Sequence, residues 1–224
     1  MATHFINLHT HLPSHDPAVL AVRNLHQRDG LPPENFAACT VGLHPWFLEK
    51  ESLEADFQWL ALNAGRPNVL AIGECGLDRA VAVPMDLQEA AFLRQTELAE
   101  TLAKPMILHC VRAHERLAQL RKTLRPRQPW IFHGFDKHPQ TARMLLGAGC
   151  HLSFGAALFR ENSHAADALR QTPADMFFLE TDDKALTINA VYERVAHIFG
   201  IGLGDLAAQV RANFQRVFPH FPIP

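Results

Sequence analysis

"NVLAIGE" (68–74) and, a little further on, "LQEAAFLRQTELAETLA" (87–103) are a strand and a helix in succession. The first is a short apolar run of strand length. The second repeats apolar residues at helical spacing over 86–103, with Leu87, Ala91, Leu98 and Leu102 on a single expected face. The same alternation extends in both directions. "HFINLH" (4–9), "NFAACTVGL" (35–43), "KPMILHC" (104–110), "PWIFHGF" (129–135), "GCHLSF" (149–154) and "DMFFLET" (175–181) also have strand character. Helical periods fill 52–64, 112–124, 138–147 and 163–171, and two more helices, 188–199 and 203–217, close the chain.

Strands alternating with helices specify a parallel sheet. Seven or eight such units in 224 residues, without a linker or a break in composition, predict one α/β domain over 1–224. That domain is a TIM-like (β/α) barrel with extra C-terminal helices. The early part is expected to be irregular. Too few residues separate His11 from Val19 for a helical crossover, so 18–26 is either a lone helix or a strand lacking its usual connection.

Composition narrows the class of function. With 48% apolar and 20% charged residues the chain is globular, and a net charge of -2 excludes a generic nucleic-acid coat. An enzyme that meets phosphates through metal ions is not excluded. No apolar run has the length of a membrane span and the start lacks a signal-peptide pattern, so a cytoplasmic protein without membrane association is expected. The four cysteines, 39, 75, 110 and 150, show no Cys-x-x-Cys spacing and read as buried free thiols. Fourteen histidines are the one compositional feature that points to chemistry.

The polar residues of the strands collect at their C-terminal ends: His9, His11, His44, Glu74, His109, His133 and Asp182. In a TIM barrel this is the face that builds active sites. Alternate strand residues share a face, so His9 and His11 of "NLHTH" (7–11) could converge on one ion, with Glu74 bridging to a second. Taken singly, each has an ordinary alternative: a hydrogen-bonded histidine, a loop carboxylate at Glu74, a turn cap at Asp182. As a set they offer nitrogen and oxygen donors without thiolates, which suits Zn, Mn or Mg.

"NLHTH" (7–11), "GLHP" (42–45), "GECGLD" (73–78), "KPMILHC" (104–110), "FHGF" (132–135), "LETD" (179–182) and "NFQRVF" (213–218) together resemble the TatD family of metal-dependent hydrolases in the amidohydrolase superfamily. The resemblance implies a TIM-like barrel and a metal centre held by His9, His11, Glu74, His109, His133 and Asp182. It also implies hydrolysis of DNA phosphodiesters, often exonucleolytic, with Mg, Mn or Zn. Four features depart from the family pattern. Asn7 stands where Asp is usual, Arg112 is offset by one position, Trp46 replaces a histidine, and the stretch from His11 to His44 is short.

The mechanism that fits is metal-assisted hydrolysis by two divalent ions, with Glu74 bridging them and Asp182 as general base. His44 contacts substrate phosphate or a third ion, or is held by a loop hydrogen bond. Trp46 stacks on a nucleobase or anchors its loop on the rim. Asp78 orients substrate or fixes its loop, and Arg112, His114 and Arg116 lie on the first turns of the following helix, near the mouth. DNA is the expected substrate of a monomer or weak oligomer. The alternatives are an amidohydrolase-like enzyme acting on an amide, ester or lactone, and a metal-binding homologue with impaired catalysis and a partner role.

Overall fold

Residues 5–222 are described by the computed structural model. His4, which opens the strand expected at 4–9, lies outside them. The chain divides into two compact units, one of Asn24–Phe132 and one built from the stretches on either side of it.

In the discontinuous unit, β1 (Phe5–Thr10) is buried along its whole length, as a strand covered on both faces must be. β2 (Val19–His26) begins here and runs parallel to it, Phe5 opposite Val19 and Asn7 opposite Ala21, with a register shift before Thr10. The segment 18–26 is therefore a strand that lacks its usual crossover. Between the two strands there is only a loop, fixed where the Ala18 and Val19 N–H groups donate to Asp16.

Later in this unit β7 (His151–Phe154) pairs in parallel with β8 (Phe177–Leu179). A bridge at Thr10–Asp182 then joins the end of β1 to the residues after β8. Around these strands stand α4 (Pro139–Gly147), α5 (Ala165–Arg170), α6 (Ile188–Phe199) and α7 (Leu203–Val217). Tyr192 of α6 stacks near Phe5, and its hydroxyl both accepts from Ile6 N–H and donates to Ile6 carbonyl, each at 3.1 Å. Asn213 of "NFQRVF" donates to the Ala174 and Phe177 carbonyls and so ties α7 to the entry of β8.

The continuous unit carries β3 (Cys39–Gly42), β4 (Val69–Asp78), β5 (Met106–Val111) and β6 (Trp130–Phe132), paired in parallel in that order. α1 (Leu53–Ala64), α2 (Met85–Leu102) and α3 (His114–Leu124) connect them. β3 is shorter than the expected 35–43 because Pro33–Asn35 turns as a 3-10 helix, proline lacking the N–H a strand needs. β4 is longer than expected and includes all of "GECGLD", so Glu74 sits in mid-strand rather than at its end. Glycine makes that possible: a Cβ on Gly76, whose φ is +145°, would fall 2.0 Å from the His109 carbonyl oxygen. Lys104 at the entry to β5 donates to the carbonyls of Ala64, Arg66 and Val69.

The expected face of α2 is corrected. Its buried residues are Gln88, Ala91, Phe92, Gln95, Thr96 and Ala99, while Leu87, Leu98 and Leu102 are half-buried. The helix turns so that two amides reach strand ends. Gln95 exchanges hydrogen bonds with both N–H and carbonyl of Leu43, and Gln88 does the same for Asp78. Buried strand-end peptides that would otherwise lack partners are satisfied in this way.

The strands form one sheet in the order β1 to β8. With the last joined to the first at Thr10–Asp182, this is the connectivity of a TIM-like barrel. Among the described residues no α-helix follows β1 or β2, and two follow β8. Among the described residues no helix is long and apolar enough to cross a membrane.

Candidate functional site

In the discontinuous unit, His9 comes from β1, His11 from just beyond it, His133 from the residue after β6, and Asp182 from the tail of β8. The Nε2 atoms of His9 and His11 lie 3.7 and 3.6 Å from the same Asp182 oxygen. The rings of His9 and His133 are 4.3 Å apart. One donor atom each from His9, His133 and Asp182 falls within 4.8 Å of the others. Ligands about 2.1 Å from a shared tetrahedral ion stand about 3.4 Å apart. Spacings a little longer than a hydrogen bond, between imidazoles and a carboxylate, are therefore what a divalent ion would bridge.

Backbone pairing sets this spacing. The His11 N–H donates to the Asp182 carbonyl and the Asp182 N–H to the His9 carbonyl, each at 3.0 Å. Asp182 has φ +56°, a left-handed conformation uncommon for a residue with a side chain. Asn7 secures the same joint: its amide donates to Thr181 Oγ1 at 2.8 Å, and its carbonyl oxygen accepts from the Thr181 N–H at 3.1 Å. Thr181 in turn reaches Thr10 Oγ1, which bonds the Asp182 carbonyl.

Glu180 was not singled out from the sequence and is fully buried beside these residues. Its Oε1 accepts from the Gly134 N–H at 2.6 Å and lies 3.5 Å from His133 Nδ1. Its Oε2 has no hydrogen-bond partner among the described residues. Burial opposes its charge, yet His133 and His9 together hold its carboxyl below the ordinary range. A carboxylate behind a metal-ligating histidine commonly fixes ring orientation.

In the continuous unit, one oxygen of Glu74 gathers two imidazoles, His109 Nδ1 at 2.7 Å and His44 Nε2 at 3.0 Å. These three also form a potential metal-holding group. Asn24 of β2 underpins it. Its Oδ1 accepts from the Glu74 N–H at 2.7 Å and from Thr40 Oγ1 at 2.9 Å, and its amide faces Glu74 Oε2 at 3.4 Å. His109 Nε2 lies 3.0 Å from Asp78 Oδ2, which also accepts from the Trp46 indole N–H at 2.6 Å. Asp78 Oδ1 accepts from the Ala80 N–H, closing the loop after β4. Burial alone would raise the Asp78 pKa, but the bonds from His109, Trp46 and Ala80 outweigh it and hold the carboxyl below its usual range.

The remaining candidates fall differently. Trp46 is 52% exposed, with its nitrogen tied to Asp78 and its ring edge-on to His44 and His109. Arg112 lies before α3 rather than on it, exposed and left-handed at φ +53°. Arg116 is on α3 but is clasped by Glu89 at 2.6 and 2.8 Å. Asn24, Thr181 and Glu180 were missed in the sequence. The available signal was a polar side chain inside an apolar strand or next to a candidate ligand.

A family model described as TatD related DNase matches residues 22–219. The 3'-5' ssDNA/RNA exonuclease TatD of Rahnella sp. is 38% identical over 165 residues, covering 66% of this chain and 57% of that protein. The chain thus spans less than two thirds of that relative's length. The uncharacterized metal-dependent hydrolase YcfH of Escherichia coli K12 is 29% identical over 87% of this chain and 78% of its own. Among solved structures, the Escherichia coli TatD homolog YJJV superposes with a TM-score of 0.83 at 24% identity over the full length of both chains. A TatD family hydrolase of Entamoeba histolytica does so with a TM-score of 0.81 at 16% identity, covering 99% of this chain and all of that one. The chain belongs to the TatD family.

Proposed function

We propose that this protein hydrolyses phosphodiester bonds in DNA, releasing nucleotides from single strands with two divalent ions, Mg, Mn or Zn. The observation that carries the reading is the convergence of His9, His11 and His133 on Asp182, at spacings an ion would bridge and without a thiolate among the donors. The exonuclease named for the Rahnella relative supports the choice of substrate.

His9, His11, His133 and Asp182 would hold one ion, and Glu74 with His109 would contribute to the second. Bound there, the ions supply positive charge to the phosphoryl oxygens and acidify the attacking water. Asp182, partly exposed and close to two imidazoles, would accept the proton of the attacking water on its carboxylate as general base. Asp78 and Glu74 hold His109 between them and so limit its rotation. Trp46 offers an exposed ring to a nucleobase with its other edge anchored on Asp78.

The test is nucleotide release from single-stranded DNA with each metal, compared between the wild type and His9→Ala or Asp182→Asn. Metal-dependent release lost in both variants is expected. DNA left intact by the wild type with all three metals, while an amide or lactone panel turns over, would assign the site to another bond.

A further inference from the structure

Beside Asp182 lies a cavity of about 360 Å³ whose wall includes Gly134, Gly155, Glu180, Asp182, Arg160 and Lys184. Its charges are segregated. The carboxylate of Glu180 is buried and that of Asp182 is 31% exposed, whereas the side chains of Arg160 and Lys184 are 62% and 57% exposed. The inner wall is thus acidic and borders the proposed metal ligands, and the outer edge is basic.

The outer edge is built on fixed backbone. Gly155 packs so closely on the tail of β8 that a Cβ there would lie 2.7 Å from the Glu180 carbonyl oxygen. Arg194 of α6 donates to the Leu158 carbonyl at 3.1 Å, pinning the turn Ala156–Phe159 that leads into Arg160. Phe159, immediately before Arg160, is 45% exposed. Both cations, themselves exposed, now lean on carboxylates: Arg160 on half-buried Asp136 at 3.0 Å and Lys184 on exposed Asp183 at 2.6 Å. Such surface pairs are worth little, about 0–1 kcal/mol, so a phosphate can displace them at small cost.

We propose that Arg160 and Lys184 form a subsite for the phosphate next to the one being cleaved, with Phe159 available to the intervening base. This rests on the phosphodiesterase reading and adds a direction to it: the uncleaved strand leaves the metal ligands across this cavity. Guanidinium and ammonium groups on the rim of a cavity whose inner wall holds Asp182 suit a second phosphate of the same strand, and an exposed aromatic beside Arg160 suits a base.

The test uses the full chain and the double variant Arg160→Gln/Lys184→Gln, with Arg143→Gln on α4, which removes one exposed positive charge outside the cavity wall, as a control. Binding of a fluorescent hexadeoxynucleotide is followed by anisotropy in EDTA over a salt series. Turnover of the same oligonucleotide and of bis(p-nitrophenyl) phosphate, which has no second phosphate, is followed with Mg, Mn and Zn in turn. The double variant is expected to raise Kd about tenfold and to flatten the salt slope by about 0.7, one single-strand phosphate contact. Its KM for the oligonucleotide is expected to rise relative to that for the small diester, and Arg143→Gln to match the wild type. An unchanged Kd and slope with turnover intact, or no oligonucleotide binding by the wild type at low salt, overturns the subsite alone. A wild type that cleaves neither diester with any of the three metals overturns the phosphodiesterase reading, and the subsite assignment with it.

Discussion

Replacing Asn7 with alanine removes two of the bonds that hold Thr181, the residue between Glu180 and Asp182. Asn7 and Thr181 are 5% and 4% exposed, so water cannot readily substitute. The Thr181 N–H then keeps only its longer bond to the His9 carbonyl at 3.4 Å, a loss of about 1–2 kcal/mol. With the small void left by the carboxamide, Asn7→Ala is expected to cost about 2–3 kcal/mol. For a chain of this size that is a fall in Tm of about 4–12 °C. Asn7→Asp is a different perturbation. It keeps the oxygen that accepts the Thr181 N–H, and the Thr181 hydroxyl can turn from Thr10 to donate to the new carboxylate. Charge-assisted bonds offset part of the cost of burying the charge, so this variant should stay within about 1 kcal/mol of the wild type. Urea unfolding in EDTA, followed by circular dichroism, separates the two. An alanine variant within about 0.5 kcal/mol of the wild type, or an aspartate variant as damaged as the alanine one, would refute the pinning role assigned to this side chain.

Three further outcomes follow from the geometry. Glu180→Gln, which replaces the carboxylate behind His133 with a neutral amide, is expected to weaken divalent-ion binding by about 10–100-fold in calorimetric titration; an unchanged affinity would remove Glu180 from the support of that ligand. Trp46→Ala should weaken single-strand binding by about 1–3 kcal/mol, whereas Trp46→Phe keeps the ring and loses only the bond to Asp78; equal losses in both would assign the effect to that bond instead. Burial pushes the Cys39 thiol up to about 12. In the unfolded chain it ionises near the ordinary thiol value, so unfolding releases a proton between those limits and stability falls as pH rises. The slope is about 1.4 kcal/mol per pH unit for this thiol, and Cys39→Ala should flatten it between pH 9.5 and 11.

The strands and the grouping of imidazoles with carboxylates were legible because an imidazole or carboxylate inside an apolar run is conspicuous. His9, His109 and Asp182 stand out against Ile6, Leu108 and Leu179. What was hidden depends on contacts distant in sequence. Asn24 looks like a polar interruption in "VRNLH" until Glu74, 50 residues away, is set against it. The face of α2 was misassigned because leucines outweigh glutamines in any apolar period, yet the unsatisfied peptides of Leu43 and Asp78 decide which side turns inward. The length of β4 was hidden by "GECGLD", where glycines usually end a strand but here allow two backbones to approach. Segment 18–26 left two readings open, and pairing with β1 selects the strand.

The joint between Thr10 and Asp182 also constrains when the site can exist. Thr10 and Asp182 are 172 positions apart, so the donor set around His9 belongs to the most non-local contacts of the fold. Closing so long a loop has to be compensated by contacts already made elsewhere. During synthesis β1 emerges early, but a nascent chain that has not reached Asp182 carries His9 and His11 without the carboxylate on which both converge. That carboxylate therefore arrives late in synthesis. The grouping of His9, His11 and Asp182 becomes a property of the finished fold rather than of its early parts.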